Sequence, residues 1–404
     1  MKKGWKAKTL EEACQFSNGL WKGEKPPFVK VGVIRNTNFT KDGTLDDSDI
    51  AYLDVEAKKL EKRRLQFGDI ILEKSGGGPK QPVGRVALFD KEDGDFSFSN
   101  FTAALRVLDP DDLDFRFVHK FLHWTYVSGV TEGMQSNSTG IRNLDGDAYK
   151  AIEISFPPLA EQQRIVGLLD EAFEGLATAK ANAEQNLQNA RALFESHLQF
   201  VFTQRGPGWR HDQLEALTEP DSPITYGVVK PGDEGEITFV RGGDLVRGKV
   251  RLTQLRTITR AVSDQYRRTL LRGGELLICL VGQPGQVAVA PIELDGANIA
   301  RQVGLIRLKK MIDAEFVRYF LQSAPGAEAL GARESGSVQL VINLGELRQI
   351  SVHYPEFAQQ RKIVAGLEAM ETETQRLARL YERKHAALAA LKKSLLHQAF
   401  SGGL

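Results

Sequence analysis

Positive charge is concentrated in one short stretch of the sequence. Residues 241–272 contain nine Lys and Arg side chains and two aspartates, a formal charge of +7 in 32 residues. The basic side chains are Arg241, Arg247, Lys249, Arg251, Arg256, Arg260, Arg267, Arg268 and Arg272. Cations at this density can neutralise several nucleic-acid phosphates, and binding through them depends strongly on salt. The stretch therefore indicates a polyanion-binding face, with a solvated protein surface as the alternative.

Motifs of DNA and nucleotide chemistry are incomplete in this sequence. Residues 25–28 read KPPF, with lysine where an adenine methyltransferase needs a carboxylate or amide to hold the target amino group. The glycine run at 76–80 lacks the Gly-Lys-Ser/Thr ending that cradles phosphate and magnesium. Residues 54–58 lack the preceding Pro-Asp strand of a nuclease metal site, and the seven histidines lack zinc-type spacing. We therefore expect a protein that is not an enzyme and that needs no cofactor and no metal.

The longest feature of the sequence is a stretch that occurs twice. Residues 157–205 and 355–403 match in one register at an offset of 198 residues, for example at Leu169 and Leu367. Each copy begins at proline, ends at glycine and is rich in strong helix formers. The 44 residues that begin at Leu159 would form a helix about 66 Å long. A single ordinary core cannot bury such a helix, so each copy needs a partner along its length.

The apolar residues of both copies recur at steps of three and four, with one change of phase. Heptad-like spacing with such a stutter is typical of a coiled coil, and the natural partner of each copy is the other. Two unrelated amphipathic core helices are the alternative, but they leave the shared register unexplained. The predicted seam consists of Ile165, Leu169, Ala172, Leu176, Ala179, Ala183, Leu187, Ala190 and Phe194, and of Ile363, Leu367, Met370, Leu377, Tyr381, Leu388, Leu391 and Leu395.

The composition is that of an ordinary globular protein. The 404 residues carry a net charge of +1, and 42% of them are hydrophobic, which suits two or three domains. The two cysteines, Cys14 and Cys279, lie far apart and argue for a reducing compartment, so we expect a cytoplasmic protein. The basic N-terminal segment lacks the apolar core of a signal peptide. No run of about 18 apolar residues is present, and we expect no membrane span.

The segments that precede the two predicted helices also correspond to each other. Residues 4–6 are echoed by 208–210, and residues 67–72 resemble 273–278. Both segments contain β-rich runs divided by Gly, Asp and Asn turns, which indicates mixed α and β structure. The runs are 28–34, 69–73, 83–89, 237–241, 275–281 and 303–308. The sequence thus predicts four parts, with bounds 1–156, 157–205, 206–354 and 355–404.

Two equivalent halves in one chain should be related by an approximate two-fold axis, as the subunits of a dimer are. Such an axis across the helix pair makes the helices antiparallel, with one globular domain toward each end. The predicted fold class is therefore α/β (α+β): two mixed domains alternate with two long helices that pair as an antiparallel coiled coil, with internal pseudo-two-fold symmetry.

Residues 156–166, FPPLAEQQRIV, and the order of the four parts resemble the specificity subunit of type I restriction-modification enzymes. In that family two target-recognition domains alternate with a central and a distal conserved helix. The Gly/Ser/Thr-rich stretches 137–144 and 335–344 resemble the segment that closes each recognition domain. The start of the second helix departs from the family pattern at Glu356, Phe357 and Gln359. The resemblance covers essentially the whole chain.

The resemblance implies sequence-specific binding to a bipartite, asymmetric target in double-stranded DNA. Each recognition domain would read one half-site, and the helix pair would fix the number of unread base pairs between them. The partners in this family are two methyltransferase (modification) subunits and, in complete systems, restriction subunits. The chain itself would be non-catalytic and would direct their chemistry to the target.

Side-chain chemistry then selects candidate DNA contacts. Arg, Asn and Gln can bind base edges through two hydrogen bonds, whereas lysine more often binds phosphate. The candidate base readers are Gln81, Arg85, Arg142 and Asn143 in the first recognition domain, and Gln283, Gln286, Arg301, Gln302 and Gln339 in the second. Further candidate contacts are Lys74 and Lys80 in the first domain, and Arg241, Arg247, Lys249, Arg251 and Arg256 in the second.

A different class of function would use the same long helices and polar loops. A coiled-coil scaffold could bring proteins together without touching DNA. It predicts no retention on DNA at low salt and no effect of neutralising the charge around Arg251.

Overall fold

The structure is a computed structural model that describes residues 4–20, 23–78, 81–138, 140–331, 341–401 and 403–404. The chain folds into two compact units. The first unit combines Met1–Ala183 with Arg383–Leu404, and the second unit is Glu184–Glu382. The division into four parts by sequence stays a prediction.

Short strands and short helices alternate in the first unit until a long helix begins. The strands are β1 (Lys6–Thr9), β2 (Cys14–Asn18), β3 (Phe28–Ile34), β4 (Ala51–Glu56), β5 (Ile70–Glu73), β6 (Ser75–Gly77), β7 (Val86–Leu88), β8 (Phe96–Phe98), β9 (Thr102–Val107), β10 (Gln135–Ser138), β11 (Ile141–Leu144) and β12 (Glu153–Phe156). The helices are α1 (Leu10–Ala13), α2 (Ala57–Glu61), α3 (Phe115–Val127), α4 (Gly146–Lys150) and the long α5 (Leu159–Thr203). Strands β3, β5 and β7 occupy the predicted runs 28–34, 69–73 and 83–89.

The core of the first unit lies on both faces of an antiparallel sheet with the order β2-β9-β5-β7. Side chains alternate between the two faces of a strand. Ile70 and Leu72 therefore pack with Phe117 of α3, whereas Ile71 packs with Phe98 of the second sheet, β4-β3-β8. The described residues of this unit also form two smaller sheets, β10-β11-β6 and β1-β12.

The second unit repeats this alternation. Its strands are β13 (Arg210–Gln213), β14 (Thr225–Tyr226), β15 (Ile237–Val240), β16 (Leu245–Val246), β17 (Lys249–Val250), β18 (Arg256–Ile258), β19 (Leu276–Cys279), β20 (Val287–Val289), β21 (Asn298–Ile299), β22 (Val303–Ile306) and β23 (Ser351–Tyr354). Its helices are α6 (Arg260–Asp264), α7 (Ala314–Gln322), α8 (Ala324–Ala329), α9 (Leu344–Gln349) and the long α10 (Phe357–Ser401). The runs predicted at 237–241, 275–281 and 303–308 contain β15, β19 and β22.

The packing of the second unit follows the plan of the first. Its central sheet has the order β14-β22-β19-β20, and the second sheet has the order β18-β15-β21. Leu276 and Ile278 pack with Phe316 of α7, whereas Leu277 packs with Val240 of the second sheet. The equivalent strands β5 and β19 therefore each pack against a helix on one face and against a second sheet on the other.

An ion pair with a buried carboxylate recurs at the same place in both units. The Asp69 carboxylate accepts hydrogen bonds from Nε and Nη2 of Arg106, each at 2.7 Å. In the second unit Glu275 Oε1 accepts from Nε of Arg307 at 3.3 Å. Both carboxylates also accept the backbone N–H three residues earlier in the chain, at 2.8 Å and 2.7 Å. This shared pattern agrees with the predicted internal duplication.

Helices α5 and α10 are each 45 residues long and pack together as an antiparallel pair. In the first unit, Leu169 near the start of α5 shares a buried cluster with Leu396 near the end of α10. In the second unit, Phe202 at the end of α5 shares a cluster with Val364 near the start of α10. The predicted seam is wrong at Leu391, which is 47% exposed because it falls on the outer face of α10.

One buried glutamine fixes the start of each long helix. Gln162 Nε2 donates to the carbonyl oxygens of Pro157 at 2.8 Å and Asp112 at 2.9 Å, and its Oε1 accepts the N–H of Asp114 at 2.8 Å. Gln360 makes the same three bonds, to Pro355, Met311 and Asp313. These bonds tie each long helix to the loop before α3 or α7. Each helix within the described ranges is too short or too polar to cross a membrane.

Candidate nucleic-acid interface

Three arginines of the second unit lie at one end of the strands of its second sheet. Strands β15 and β21 run parallel with Val240 opposite Ile299, and their carboxyl ends lead into Arg241 and the segment that holds Arg301. Arg256 begins β18, which runs antiparallel to β15. An antiparallel strand begins at the end where its partner finishes. Arg241, Arg256 and Arg301 therefore all lie at the same end of this sheet.

Three glutamines lie at one end of the central sheet of this unit. Cys279, the last residue of β19, is opposite the first residue of β22. Gln283 and Gln286 belong to the loop that leaves β19, Gln302 directly precedes β22, and all three are exposed. The N–H of Cys279 donates to the Gln286 carbonyl at 2.8 Å, and the N–H of Leu280 donates to the Gln302 carbonyl at 2.7 Å. Backbone bonds therefore fix where these amide side chains begin.

Gly242 brings the arginines and the glutamines together. A Cβ at this position would lie 2.6 Å from Cys279 Sγ and 3.7 Å from Gln302 Cβ. The turn that follows Arg241 can approach the end of the central sheet this closely only because residue 242 has no side chain. The structure thus unites seven sequence-predicted contacts, Arg241, Arg251, Arg256, Gln283, Gln286, Arg301 and Gln302, at neighbouring sheet ends.

A buried carboxylate holds two of these arginines. Asp244 accepts the Arg241 N–H at 2.9 Å and Nη2 of Arg251 at 2.8 Å. Burial opposes its ionisation, but these hydrogen bonds keep the pKa of Asp244 below its ordinary value. The side chain of Arg251 remains 47% exposed. It can therefore meet a phosphate from a fixed position.

Arg247 and Lys249 lie on the hairpin formed by β16 and β17. Both are exposed, and Arg247 adopts a left-handed backbone with φ of 50° beside Gly248 at 79°. Among the residues described, neither side chain has an ion-pair partner. Their charges are available to a polyanion, but the hairpin carries them away from the buried Asp244.

In the first unit, Arg142 and Asn143 lie on β11, the middle strand of the sheet β10-β11-β6. Nη1 of Arg142 lies 3.3 Å from Oε1 of Gln135, and Ser75 Oγ donates to Asn143 Oδ1 at 2.6 Å. The pairing of β11 with β6 shifts register between these two residues. A shift of this kind turns successive side chains out of the regular alternation.

Arg85 is held by the protein itself. Its Nε and Nη2 donate to both oxygens of the buried Glu73 at 2.8 Å, Nη1 donates to the Phe39 carbonyl at 3.2 Å, and Nη2 also donates to the Asn36 carbonyl at 3.0 Å. When its amide oxygen faces the guanidinium, Gln81 accepts from Nη2 of Arg85 at 2.8 Å. Arg85 therefore supports the loops around it and has little capacity left for a base edge.

Lys74 directly precedes β6 and lines a cavity of about 260 Å³ together with Tyr149 and Lys150. Its Nζ donates to Asn18 Oδ1 at 2.8 Å. Partial burial lowers the pKa of Lys74. The ammonium group is thus anchored at the border between the cavity and the small sheet.

Two predicted contacts, Lys80 and Gln339, lie outside the described residues. Sequence reasoning missed the buried acids Glu73 and Asp244, which organise the arginines around them. The spacing of Arg241 and Asp244, three residues apart, was an available signal for the second of these. In the part of the chain that the structure describes, no group of three or more His, Cys, Asp or Glu side chains could hold a metal ion.

Residues 2–188 match the family described as Type I restriction modification DNA specificity domain. The chain is 25% identical over 304 residues to the EcoBI specificity subunit of a type I restriction enzyme from Escherichia coli. That match covers 69% of this chain and 64% of the relative, so it spans less than two thirds of the relative's length. The EcoKI specificity subunit of Escherichia coli K12 is 24% identical over 408 residues, which cover 94% of this chain and 82% of that protein.

Two solved structures share the fold. One, described as "Structural basis underlying complex assembly and conformational transition of the type I R-M system", has a TM-score of 0.75 at 20% identity and covers 100% of this chain and 99% of that chain. The other is the HsdS subunit from Thermoanaerobacter tengcongensis, with a TM-score of 0.64 at 19% identity and coverage of 100% and 98%. At these identities the likeness concerns the fold alone.

Proposed function

We propose that this chain belongs to the specificity subunits of type I restriction-modification systems, binds double-stranded DNA and selects the target sequence for catalytic partners. The proposed target is bipartite and asymmetric, with one half-site for each unit. The chain contributes recognition and no catalytic step of its own, and it acts in the cytoplasm.

The observation that carries the proposal is the repetition of one plan with different polar side chains. Both units present arginine and amide groups, on β11 in the first unit and at the end of the central sheet in the second. In the first unit the candidates include Arg142 and Asn143, and in the second they include Gln283, Gln286 and Gln302. Two similar frameworks that carry different hydrogen-bonding groups suit two different half-sequences.

The side chains divide into three proposed roles. Gln283, Gln286, Arg301, Gln302, Arg142 and Asn143 read base edges. Lys74, Arg241, Arg247, Lys249, Arg251 and Arg256 neutralise phosphates. Arg85 supports the loops around Glu73, together with Gln81. We keep Lys80 and Gln339 as candidate contacts on sequence grounds alone.

The helix pair is the proposed spacer and the proposed docking surface for two methyltransferase subunits. Large apolar side chains are exposed along both helices, among them Leu193 at 54%, Phe200 at 59% and Leu391 at 47%. Exposed apolar side chains on a helical surface suit a protein partner. A restriction subunit joins the assembly where the system includes one.

The deciding experiment is to co-express the chain with the modification subunit encoded beside it and to map methyladenine in the host DNA by single-molecule sequencing. We expect a split motif with two short, unrelated halves separated by about half a helical turn of unread base pairs. Methylation without a motif, or none despite a stable complex, would overturn the proposal in favour of a protein scaffold.

Salt dependence provides a second test against the scaffold. Replacing Arg247, Lys249 and Arg251 with glutamine should weaken DNA binding and reduce the slope of log affinity against log salt by roughly 1 for each phosphate that is no longer neutralised. The matched control is Arg376→Gln, which removes an exposed cation of α10 that pairs with Glu373. Equal slopes for the triple variant and the wild type would count against phosphate binding at the hairpin.

A further inference from the structure

A hairpin in each unit extends from the turn that follows Arg35 or Arg241 to the helix α3 or α7. In the second unit the hairpin β16–β17 starts beside Asp244, whose carbonyl accepts the Arg251 N–H at 2.8 Å. Its turn is formed by Arg247 and Gly248. In the first unit the corresponding hairpin starts where the Asp46 N–H donates to the Asn38 carbonyl at 2.7 Å. Its turn contains Gly43.

Both tip glycines touch the same two positions of the helix beneath them. A Cβ at Gly43 would lie 3.0 Å from His119 Nε2 and 3.1 Å from His123 Nδ1. A Cβ at Gly248 would lie 2.5 Å from Arg318 Nη1 and 3.3 Å from Gln322 Nε2. Both glycines have left-handed backbones, with φ of 81° and 79°. A Cβ at either tip would therefore force the tip or the facing side chain of the helix to shift.

The touched residues occupy equivalent places in α3 and α7. Each helix is capped by an aspartate, Asp114 or Asp313, whose side chain accepts the first backbone N–H groups. His119 and Arg318 are both the fifth residue after the cap, and both are buried, with 4% and 5% exposed. In the first unit the Gly43 carbonyl lies 2.8 Å from His119 Nε2. The contact is therefore duplicated, although its chemistry differs between the units.

The same helices are bonded to the long helices within each unit. In the first unit Lys120 of α3 pairs with Asp170 of α5 at 2.6 Å. Lys392 of α10 pairs with Asp42 in the hairpin tip itself and lies over the ring of Phe173, 4.7 Å from its centroid.

In the second unit Tyr319 Oη donates to Glu371 Oε2 of α10 at 2.7 Å. Nη2 of Arg318 lies 3.9 Å from the same carboxylate oxygen. The buried Arg318 also donates Nη1 to Gln322 Oε1 at 2.8 Å, and its Nε donates to Glu315. A continuous chain of contacts thus joins the hairpin tip to a long helix in each unit.

We propose that each hairpin tip and the helix beneath it form a joint that sets the orientation of the DNA-reading loops relative to the long helices. His119 and Arg318 are the positioning residues of the two joints, and neither touches DNA. This inference rests on the proposed function, because orientation matters only if two half-sites are read across a fixed spacer. Loosening a joint should relax the spacer length while leaving the preferred half-sequences unchanged.

The test uses the full chain co-expressed with its modification subunit, with methyladenine mapped in the host DNA. Gly43→Ala and Gly248→Ala each place a Cβ against the helix, so that the tip or the facing His119 or Arg318 side chain must shift and the joint loosens. The matched control for Gly248 is Gly274→Ala, which has a similar φ of 87° but no heavy atom within 4 Å of the added Cβ. For Gly43 the control is Gly129→Ala, with φ of 84° and its nearest neighbour at 3.9 Å.

For the joint variants we expect methylation at sites whose spacer differs by one base pair to rise about fivefold or more, because coupling through packed contacts of this kind changes equilibria by that order. The half-sequences should not change, and the controls should keep the wild-type spacer. Methylation that falls equally at all sites, or an unchanged spacer in both joint variants, would overturn the joint.

If the Gly248→Ala protein does not accumulate in the cell, a milder variant provides the same test. Arg318→Lys retains the charge but lacks the separate Nε and Nη1 donors that bond Glu315 and Gln322, and it should relax the spacer in the same direction. An unaltered spacer in Arg318→Lys would then overturn the joint. The wild-type chain separates the two proposals: if it yields no split motif, the proposed function fails, whereas a wild-type motif with unaffected variants removes only the joint.

Discussion

A single buried amide determines how firmly each long helix is attached to its unit. Gln162 is fully buried and bonds two carbonyl groups and one N–H. Leucine would fill the same space but leave these backbone groups unpaired. We expect Gln162→Leu to lower the free energy of unfolding by about 3 kcal/mol, since each unsatisfied buried group costs about 1–3 kcal/mol.

The neighbouring glutamine is the natural control for this prediction, which chemical denaturation can check. Gln163 is exposed, so Gln163→Leu should remain within about 0.5 kcal/mol of the wild type. Similar losses in both variants would mean that the helix start tolerates unpaired groups and that the three bonds of Gln162 contribute little.

Two buried histidines should make the first unit sensitive to acid. Burial, reinforced by nearby lysines, lowers the pKa of His119 to about 3 and that of His123 to about 4, from an ordinary value of 6.5. The unfolded chain therefore binds protons near pH 6.5 while the folded unit does not. Stability is fully present above that pH and is lost as the pH falls toward about 4.

Hydrogen exchange between pH 7 and pH 4.5 can check this pH dependence unit by unit. Protection of α3 should decrease with falling pH more than protection of α7, where Arg318 and Gln322 take the equivalent places and do not titrate in this range. His119→Gln should flatten the dependence for α3. A steeper loss in α7 than in α3 would contradict the assignment.

Side-chain type alone identified candidate polar residues, but it did not predict which hydrogen bonds their side chains make. Arg85 and Arg142 looked equivalent in the sequence, because both are arginines in glycine-rich surroundings. The fold places Glu73, 12 residues away in sequence, against Arg85, and leaves Arg142 beside an amide. Which partners an arginine side chain bonds depends on such long-range neighbours, which local sequence does not contain.

At the scale of elements, the buried face of a long helix should contribute far more to stability than its surface pairs. Leu169 is 1% exposed within the core of the first unit, whereas the adjacent Leu168 is 42% exposed. We expect Leu169→Asp to lower the free energy of unfolding by about 4 kcal/mol or more, because it removes apolar contacts and buries a carboxylate. Leu168→Asp should change it by less than about 1 kcal/mol.

The ion pair between Arg191 of α5 and Glu382 of α10 provides the contrasting case. Its side chains are 59% and 54% exposed, and the two atoms lie 3.0 Å apart. Exposed pairs of this kind contribute about 0–1 kcal/mol. Arg191→Ala should therefore leave the denaturation midpoint nearly unchanged, and a large shift would indicate a structural role for this pair.

The elements that sequence predicted well are those with long periodic patterns. The repeated register predicted both long helices and their antiparallel pairing, and runs of β-formers located the central strands. The hairpin tips were missed, since β16 and β17 have two residues each and carry no alternation to detect. Their positions depend on tip glycines and buried helix residues that are far apart in sequence.

At the scale of the whole molecule, the length of the helix pair should determine the spacing of the half-sites. Four residues inserted in each long helix, after Ala183 and after Glu382, would lengthen both by about 6 Å, or slightly more than one turn. We expect the unread spacer to grow by roughly two base pairs, at about 3.4 Å each, with the half-sequences preserved. Methylation mapping measures the spacer length directly. If the paired insertion kept the original spacing, the helix pair would not determine the distance between the half-sites.

The first compact unit contains segments from both ends of the chain, so it cannot complete its fold until the last segment has been synthesised. Phe400 packs against Phe117, Phe121 and Trp124, yet it leaves the ribosome long after they do. The second unit, Glu184–Glu382, is contiguous and needs no segment from elsewhere in the chain. A released chain that ended after residue 382 would thus contain all of the second unit but lack the last segment of the first, with the aromatic side chains of α3 open to chaperones.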